Sequence, residues 1–331
     1  MTSHHVYGVG NALVDMEFEI SDAELGELSV DKGLMTLIDL DRHHQLLSLL
    51  ESHEGNPCGG GSAANTITAC AQLGGNTFYS CKVANDDVGT FFLNDLRANG
   101  VHTNLEHQTR ADGVTGKCIV LITPDAERSM NTFLGITSQY SESELVEEDL
   151  KQSQVLYIEG YLVAEPAATQ AAIKARKIAE GAGVLTALTL SDANMVNFFK
   201  PGLLDIIGDG LDLIFCNEDE AMLMTDTDSI DQCVNALKPM ARQFAITRGA
   251  KGAVLWDGNS TIEVPASPVT PVDSNGAGDI YAGTFLYGLT HGMPFEQCGA
   301  LANAAAAKLI TQFGARLPMD ELKAVGRQFG L

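Results

Sequence analysis

Short runs of β-branched and aromatic residues alternate along this chain with stretches rich in Ala, Leu, Gln and Glu at helical spacing, and that alternation limits the fold more than any other feature. The strand-like runs fall at 6–9, 77–83, 155–158, 184–188, 213–216 and 244–247; helical spacing fills 62–73, 88–99, 166–180 and 218–224. Strands that alternate with helices require right-handed crossovers. The pattern therefore predicts an α/β fold, a doubly wound and mostly parallel sheet covered by helices on both faces. Two segments break the rhythm. Residues 17–40 alternate apolar and polar positions without a long helix, and 114–122 with 128–134 read as strands joined by a turn at Pro124-Asp125. They are expected to pair as a small antiparallel sheet standing off the main body, a lid formed by about 16–38 and 112–135. No Pro/Ser-rich linker or internal repeat divides the chain, so the expectation is one domain, 1–331, with that lid.

Charge narrows the partners. Lys and Arg total 20 against 43 Asp and Glu, a formal charge of −23, which repels nucleic acid and anionic membrane surfaces. A small anion remains admissible, because converging backbone N–H groups attract one locally whatever the net charge. The 7 cysteines form no C-x-x-C pair and sit mostly in apolar runs, the pattern of buried free thiols in a reducing compartment. No run of 18 apolar residues and no N-terminal apolar segment is present, so the reading is a cytoplasmic chain.

Several motifs fail. Gly8-Val9-Gly10 follows a strand, but Leu13 stands where a dinucleotide fingerprint needs its third glycine; there is no Walker loop, and the 8 histidines show no zinc-ligand spacing. The strongest signal is Asp273-Ser274-Asn275-Gly276-Ala277-Gly278-Asp279 before an amphipathic helical run. Glycines there let successive N–H groups converge on an anion, the helix dipole adds positive potential, and Asp279 can take a proton from a hydroxyl attacking that anion. Read blandly, the same residues are an Asn-Gly turn and a helix-capping acid. Gly59-Gly60-Gly61-Ser62-Ala63-Ala64-Asn65 opens another helix and is either a ligand cradle or a flexible loop. Asn11 and Asp15 end the first strand, where they suit sugar hydroxyls or a solvated turn. Asn217-Glu218-Asp219-Glu220 follows a strand and suits hydrated magnesium, or is simply an acidic first helical turn. Thr247-Arg248-Gly249-Ala250-Lys251-Gly252 makes a tight turn after a strand, with Thr247 and Arg248 able to face phosphates.

Taken together, Gly60-Gly61-x-x-x-Asn65, Ala84-x-Asp86-x-x-Gly89, Asn217-x-x-Glu220, Thr247-x-Gly249-x-x-Gly252, Asp273-x-Asn275-Gly276-Ala277-Gly278-Asp279 and Asn303 with its alanines resemble, in order and spacing, the ribokinase-like (PfkB) carbohydrate kinases from about residue 6 to 318. The resemblance implies an ATP- and Mg2+-dependent phosphotransferase. It makes Asp279 the base and the N–H groups of Gly276, Ala277 and Gly278 the holders of the γ-phosphate. By the same resemblance Asn217 and Glu220 position magnesium, largely through water, and Thr247, Arg248, Gly249, Gly252 and Asn303 serve the nucleotide. Asn11, Asp15, Gly60, Gly61, Ser62 and Asn65 match the sugar pocket of the acceptor. Ser274 replaces a frequent Thr but keeps the hydroxyl; Ala84 replaces a Gly away from the chemistry.

The branch is divided. Asn11 with Asp15, the G-G-S opening, and Glu127-Arg128-Ser129-Met130 look like the adenosine-kinase branch, which places Arg128 in the lid over the site. Asn303 with its alanines and Gln312-Phe313-Gly314-Ala315 look like the ribokinase branch, which also implies a monovalent cation, K+, near Asp273, Asn275 and Gly314. The acceptor is thus read as a nucleoside, with ribose, fructose or a related sugar as the alternative. A purely binding role would require a lost Asp279 or a broken G-A-G. The chain is expected to be a monomer or a homodimer joined through its lids.

Overall fold

The computed structural model describes residues 4–125 and 127–331. The larger sheet has nine strands. In spatial order they are β14 (Thr261–Val264), β13 (Ala253–Trp256), β12 (Ala241–Thr247), β11 (Leu211–Asn217), β10 (Leu185–Thr189), β9 (Ser153–Glu159), β1 (His4–Val9), β5 (Thr77–Ser80) and β6 (Val101–Thr103). Every neighbouring pair from β12 to β6 is parallel, and β13 and β14 add an antiparallel hairpin at one edge. The doubly wound, mostly parallel sheet read from the alternating pattern is therefore present. Successive strand residues feed two separate cores: Tyr7, Val9, Leu156, Ile158, Leu188 and Ile214 pack on one face, while Val6, Val155, Tyr157, Ala187, Leu213 and Phe215 pack on the other. Burial on both faces is why these strands read as continuous apolar runs.

Helices cover both faces. Ala277–Thr290 packs against Phe295–Leu309 and against Ser62–Gln72, and small residues make that approach close: a side chain at Gly283 would collide with the Thr66 carbonyl. The winding reverses at β1, which has β5 on one side and β9 on the other. A crevice opens outside the carboxyl ends of strands at such a switch, and this is where ligands of open α/β sheets collect.

The second sheet has five strands in the order β3 (Met35–Leu37), β8 (Arg128–Phe133), β7 (Gly116–Ile122), β2 (Leu13–Glu19) and β4 (Asn56–Gly60). The two irregular segments do pair, but the sheet is mixed rather than antiparallel. β7 and β8 form the expected hairpin, while β2 runs parallel to β7 and β3 parallel to β8. Parallel neighbours need a long crossover, and here the chain between β2 and β7, which includes β5 and β6, supplies it. β4 closes the other edge by antiparallel pairing with β2. Short helices Asp22–Glu27 and Leu40–Leu49 cover one face, packing Leu25 and Leu46 on Phe18, Ile20, Ile119 and Leu121. The opposite face, with Leu13, Asp15, Cys118, Met130 and Thr132, looks into the crevice of the larger sheet. The seven cysteines are free thiols, all buried except the half-buried Cys58. Among the described residues no helix is long and apolar enough to cross a membrane.

Candidate active site

A cavity of about 480 Å³ lies between the two sheets. Its floor is the start of the Ala277–Thr290 helix, where Ser274 to Asp279 all face it. Gly276 caps this helix with φ of 71°, and a Cβ there would collide with the backbone of Ala315, so the turn admits only glycine. Gly278 differs. It has ordinary helical φ, and a Cβ on it would meet nothing, so the missing side chain there keeps the cavity floor open.

Asp279 is held from both sides by the start of the Ser62–Gln72 helix: Ser62 Oγ donates to its Oδ1 at 2.7 Å and Asn65 Nδ2 to its Oδ2 at 3.0 Å. Burial raises its pKa, while the two hydrogen bonds and the charges of Arg128 and Arg316 oppose that rise. The glycine run explains how this helix start comes so near. A side chain on Gly60 would strike the Asp15 carboxyl, and Gly61, at φ 95°, lies against the Asn11 carbonyl. Gly60 itself is not in the cavity wall; Gly61, Ser62 and Asn65 are.

Asn11 and Asp15 both line the cavity, but only Asn11 follows the first strand, while Asp15 lies within β2 of the small sheet. Asn11 is fixed by Glu159, which accepts from Asn11 Nδ2 (3.0 Å), Asn11 N (3.3 Å) and Ala63 N (2.8 Å). Glu159 is 1% exposed, and desolvation pushes its pKa up to about 7 against those bonds. Asp15 is also buried but accepts no hydrogen bond among the described residues; burial, and then the nearby charge of Glu17, push it up to about 7. A desolvated carboxyl facing a cavity without a protein donor is suited to ligand hydroxyls.

Arg128 reaches across from β8. Its Nη1 donates to Asn275 Oδ1 at 2.7 Å and its Nε lies 3.7 Å from Asp273 Oδ1. Asp273 is fully buried and accepts from the backbone N–H groups of Asn275 (2.8 Å) and Gly314 (2.9 Å), tying the floor loop to the segment before Arg316. Glu17 accepts from Asn275 Nδ2 at 3.3 Å.

The N-x-x-E element is a reciprocal helix cap. Asn217 Oδ1 accepts from Glu220 N at 2.8 Å, and Glu220 accepts from Asn217 Nδ2 (2.7 Å) and Asn217 N (3.0 Å). Both residues also line the cavity, together with Asp192 and Asp219. Burial pushes Glu220 up to about 7. Each Glu220 oxygen accepts one hydrogen bond and keeps a further lone pair, so Glu220, with Asp192 and Asp219 in the same wall, offers the oxygen donors that suit a divalent cation.

Thr247 is in the cavity wall, but Arg248, Gly249, Gly252 and Asn303 are not. Arg248 pairs with Glu218 at 3.0 Å. Gly252, at φ 86°, turns the chain against Val264, and Asn303 Nδ2 donates to the carbonyls of Val264 (3.1 Å) and Pro265 (3.0 Å). In this structure these residues secure the β12–β14 edge.

Sequence reasoning overlooked Glu159 and Arg316, and although the lid was the segment expected to supply an apolar contact, Met35 and Leu37 were not singled out for it. Glu159 had a signal, an acid ending an apolar strand at the sheet's carboxyl edge. Arg316 had none: its Nε donates to Asn65 Oδ1 at 2.7 Å across most of the chain's length.

A carboxylate and the start of a helix face one cavity at the switch point of a doubly wound sheet and under a second small sheet, an arrangement suited to phosphoryl transfer to a hydroxyl group. Residues 28–322 match the pfkB family carbohydrate kinases, and the chain belongs to that family. It is similar throughout to the solved structure of a probable sugar kinase from Rhizobium etli CFN 42, with 35% identity and a TM-score of 0.92 over 100% of this chain and 99% of that one. The adenosine kinase from Sinorhizobium meliloti gives 36% identity and a TM-score of 0.92, covering 99% of each chain. The adenosine kinase of Saccharomyces cerevisiae is 27% identical over 336 residues, 95% of this chain and 97% of that protein.

Proposed function

We propose that this kinase transfers the γ-phosphate of ATP to the primary hydroxyl of a nucleoside. The observation that carries this reading is the composition of the cavity's far wall. Beyond the polar pocket of Asn11, Asp15 and Asn65, the small sheet supplies Leu13, Met35, Leu37, Cys118 and Met130, and Leu134 just after β8 joins them. A sugar alone fills only the polar part, whereas a nucleoside also covers the apolar wall with its base. Similarity to two adenosine kinases supports the reading.

In this mechanism Asp15 and Asn11 hold the sugar hydroxyls, and Asp279 takes the proton of the attacking hydroxyl. The N–H groups of Gly276, Ala277 and Gly278 receive the negative charge that builds on the phosphoryl oxygens. Arg128 closes the site from above and adds positive charge beside the floor. Thr247 serves the nucleotide end of the cavity. Asn217 and Glu220 would hold magnesium through its water shell; when bound, the ion neutralises phosphate charge in a cavity otherwise rich in carboxylates.

A free sugar is the second reading, favoured by the likeness to the Rhizobium etli probable sugar kinase. ATP-dependent phosphorylation assayed over adenosine, inosine, guanosine, ribose and fructose decides between them. Faster turnover of any nucleoside than of either sugar is expected; the reverse order overturns the nucleoside assignment.

A further inference from the structure

Arg316 lies outside every motif that marks this family in the sequence, yet it is one of the two arginines whose charge acts on Asp279. Its side chain is 15% exposed. It forks between two partners: Nε donates to Asn65 Oδ1 at 2.7 Å, and Nη1 pairs with Asp95 Oδ2 at 2.5 Å on the helix Asp87–Ala98. Asn65 in turn donates from Nδ2 to Asp279 Oδ2 at 3.0 Å.

An amide side chain has one acceptor end and one donor end. Because the guanidinium can only donate, it fixes the oxygen of Asn65 on its own side, and the amide nitrogen must then face the Asp279 carboxylate. Turned over, Asn65 would set its oxygen against an anion and its N–H group against a cation. We propose that Arg316 is a positioning residue for the base. Through Asn65 it holds Asp279 in the orientation and ionised state in which it accepts a proton, and Asp95 anchors the arginine from the opposite side.

The other groups facing Asp279 do not duplicate this role. Ser62 supports only Oδ1. Arg128 belongs to the small sheet and is engaged with Asn275 and Asp273. The remaining ionisable neighbours, Asp15, Glu159 and Glu220 with Tyr157 and Tyr161, are acids and contribute no positive charge. Arg128 and then Arg316 favour the charged form of Asp279, and of the two Arg316 is the one that also reaches it through Asn65.

The inference rests on Asp279 being the base, so the test includes Asp279→Asn beside Arg316→Gln, Asn65→Ala and the double variant, with Arg316→Lys as the conservative form. ADP affinity reports an intact nucleotide site in each. Arg316→Gln should lower kcat by about 10-fold to 100-fold with ADP affinity unchanged, and should move the acidic limb of the kcat–pH profile upward by about one unit. Arg316→Lys, which keeps the charge but not the fork, should lose kcat while its limb stays near that of the parent. In the Asn65→Ala background, Arg316→Gln should add less than about threefold, because a residue acting through Asn65 has nothing left to act on. Additive losses, or an unmoved limb in Arg316→Gln, would overturn the proposal. If Arg316→Gln does not fold, Arg316→Lys alone decides it, since a parental kcat in that variant removes the need for the fork. Parental kcat in Asp279→Asn would instead sink the assignment of the base and leave the role of Arg316 without an object.

Discussion

Asp279 receives hydrogen bonds at both oxygens and still has a raised pKa, because burial outweighs them. A carboxylate in that state is more basic than one in water, which suits a group that must accept a proton. Asp279→Asn preserves the shape but reverses one hydrogen bond and removes the basic oxygen. It should lower kcat by on the order of 10² to 10⁴ while ADP affinity holds, as steady-state kinetics and calorimetry would show. Asp15 makes a separate prediction because it is buried without a donor and its pKa is pushed up to about 7. The folded chain then keeps a proton that the unfolded chain releases from about pH 4 upward, so folding binds protons and stability falls as pH rises through the window from about 4 to 7. Asp15→Asn removes that contribution. Its melting temperature should exceed the parent's most at pH 8, by less at pH 5, and match it only below about pH 4, while acceptor affinity drops at pH 5 and pH 8 alike. An equal loss of melting temperature at the two pH values would show that Asp15 is a structural residue.

At the scale of the helix and its cap, the glycines of Gly276-Ala277-Gly278 do different things, and substitution separates them. Gly276→Ala forces an L side chain into positive φ and against the Ala315 backbone, so it should destabilise by on the order of 1–3 kcal/mol in chemical denaturation. Gly278→Val meets open space and should melt near the parent temperature, but it fills the cavity floor and should leave almost no turnover. Retained turnover in Gly278→Val would mean that no phosphoryl group approaches this helix. The sequence showed that a helix begins here with an acid in its first turn, but it could not show which glycine is needed for backbone geometry and which for space, since that depends on Ala315 arriving from elsewhere. Element recognition followed the same logic. Runs buried on both faces, such as 155–158 and 213–216, were legible because their residues are apolar at every position. β6, of three residues, and the hairpin β13–β14 were not, since short edge strands carry too few positions for a period to register.

Over the whole molecule the cavity exists because two sheets face each other, and no local pattern encodes that meeting. The parallel pairing of β2 with β7, the approach of Arg316 to Asn65, and the reach of Arg128 to Asn275 all join segments far apart in the chain. The motifs located the floor and the Asn11 end of the cavity, while the membership of the apolar wall stayed hidden because Met35, Leu37, Met130 and Leu134 become neighbours only when the small sheet forms. Arg128 connects that sheet to the floor and so tests the whole arrangement. The floor loop has supports besides it, since Asp273 also accepts from Asn275 N and Gly314 N. Arg128→Ala should therefore leave ATP binding nearly unchanged. It should lower kcat/KM for a nucleoside by about 1.5–3 kcal/mol, the cost of losing a hydrogen bond to a charged group. If the small sheet acts by covering the base, the loss for ribose, which lacks one, should be smaller than for adenosine. Equal losses for both acceptors would confine Arg128 to the phosphoryl group, and a parallel loss of ATP affinity would assign it to the nucleotide end.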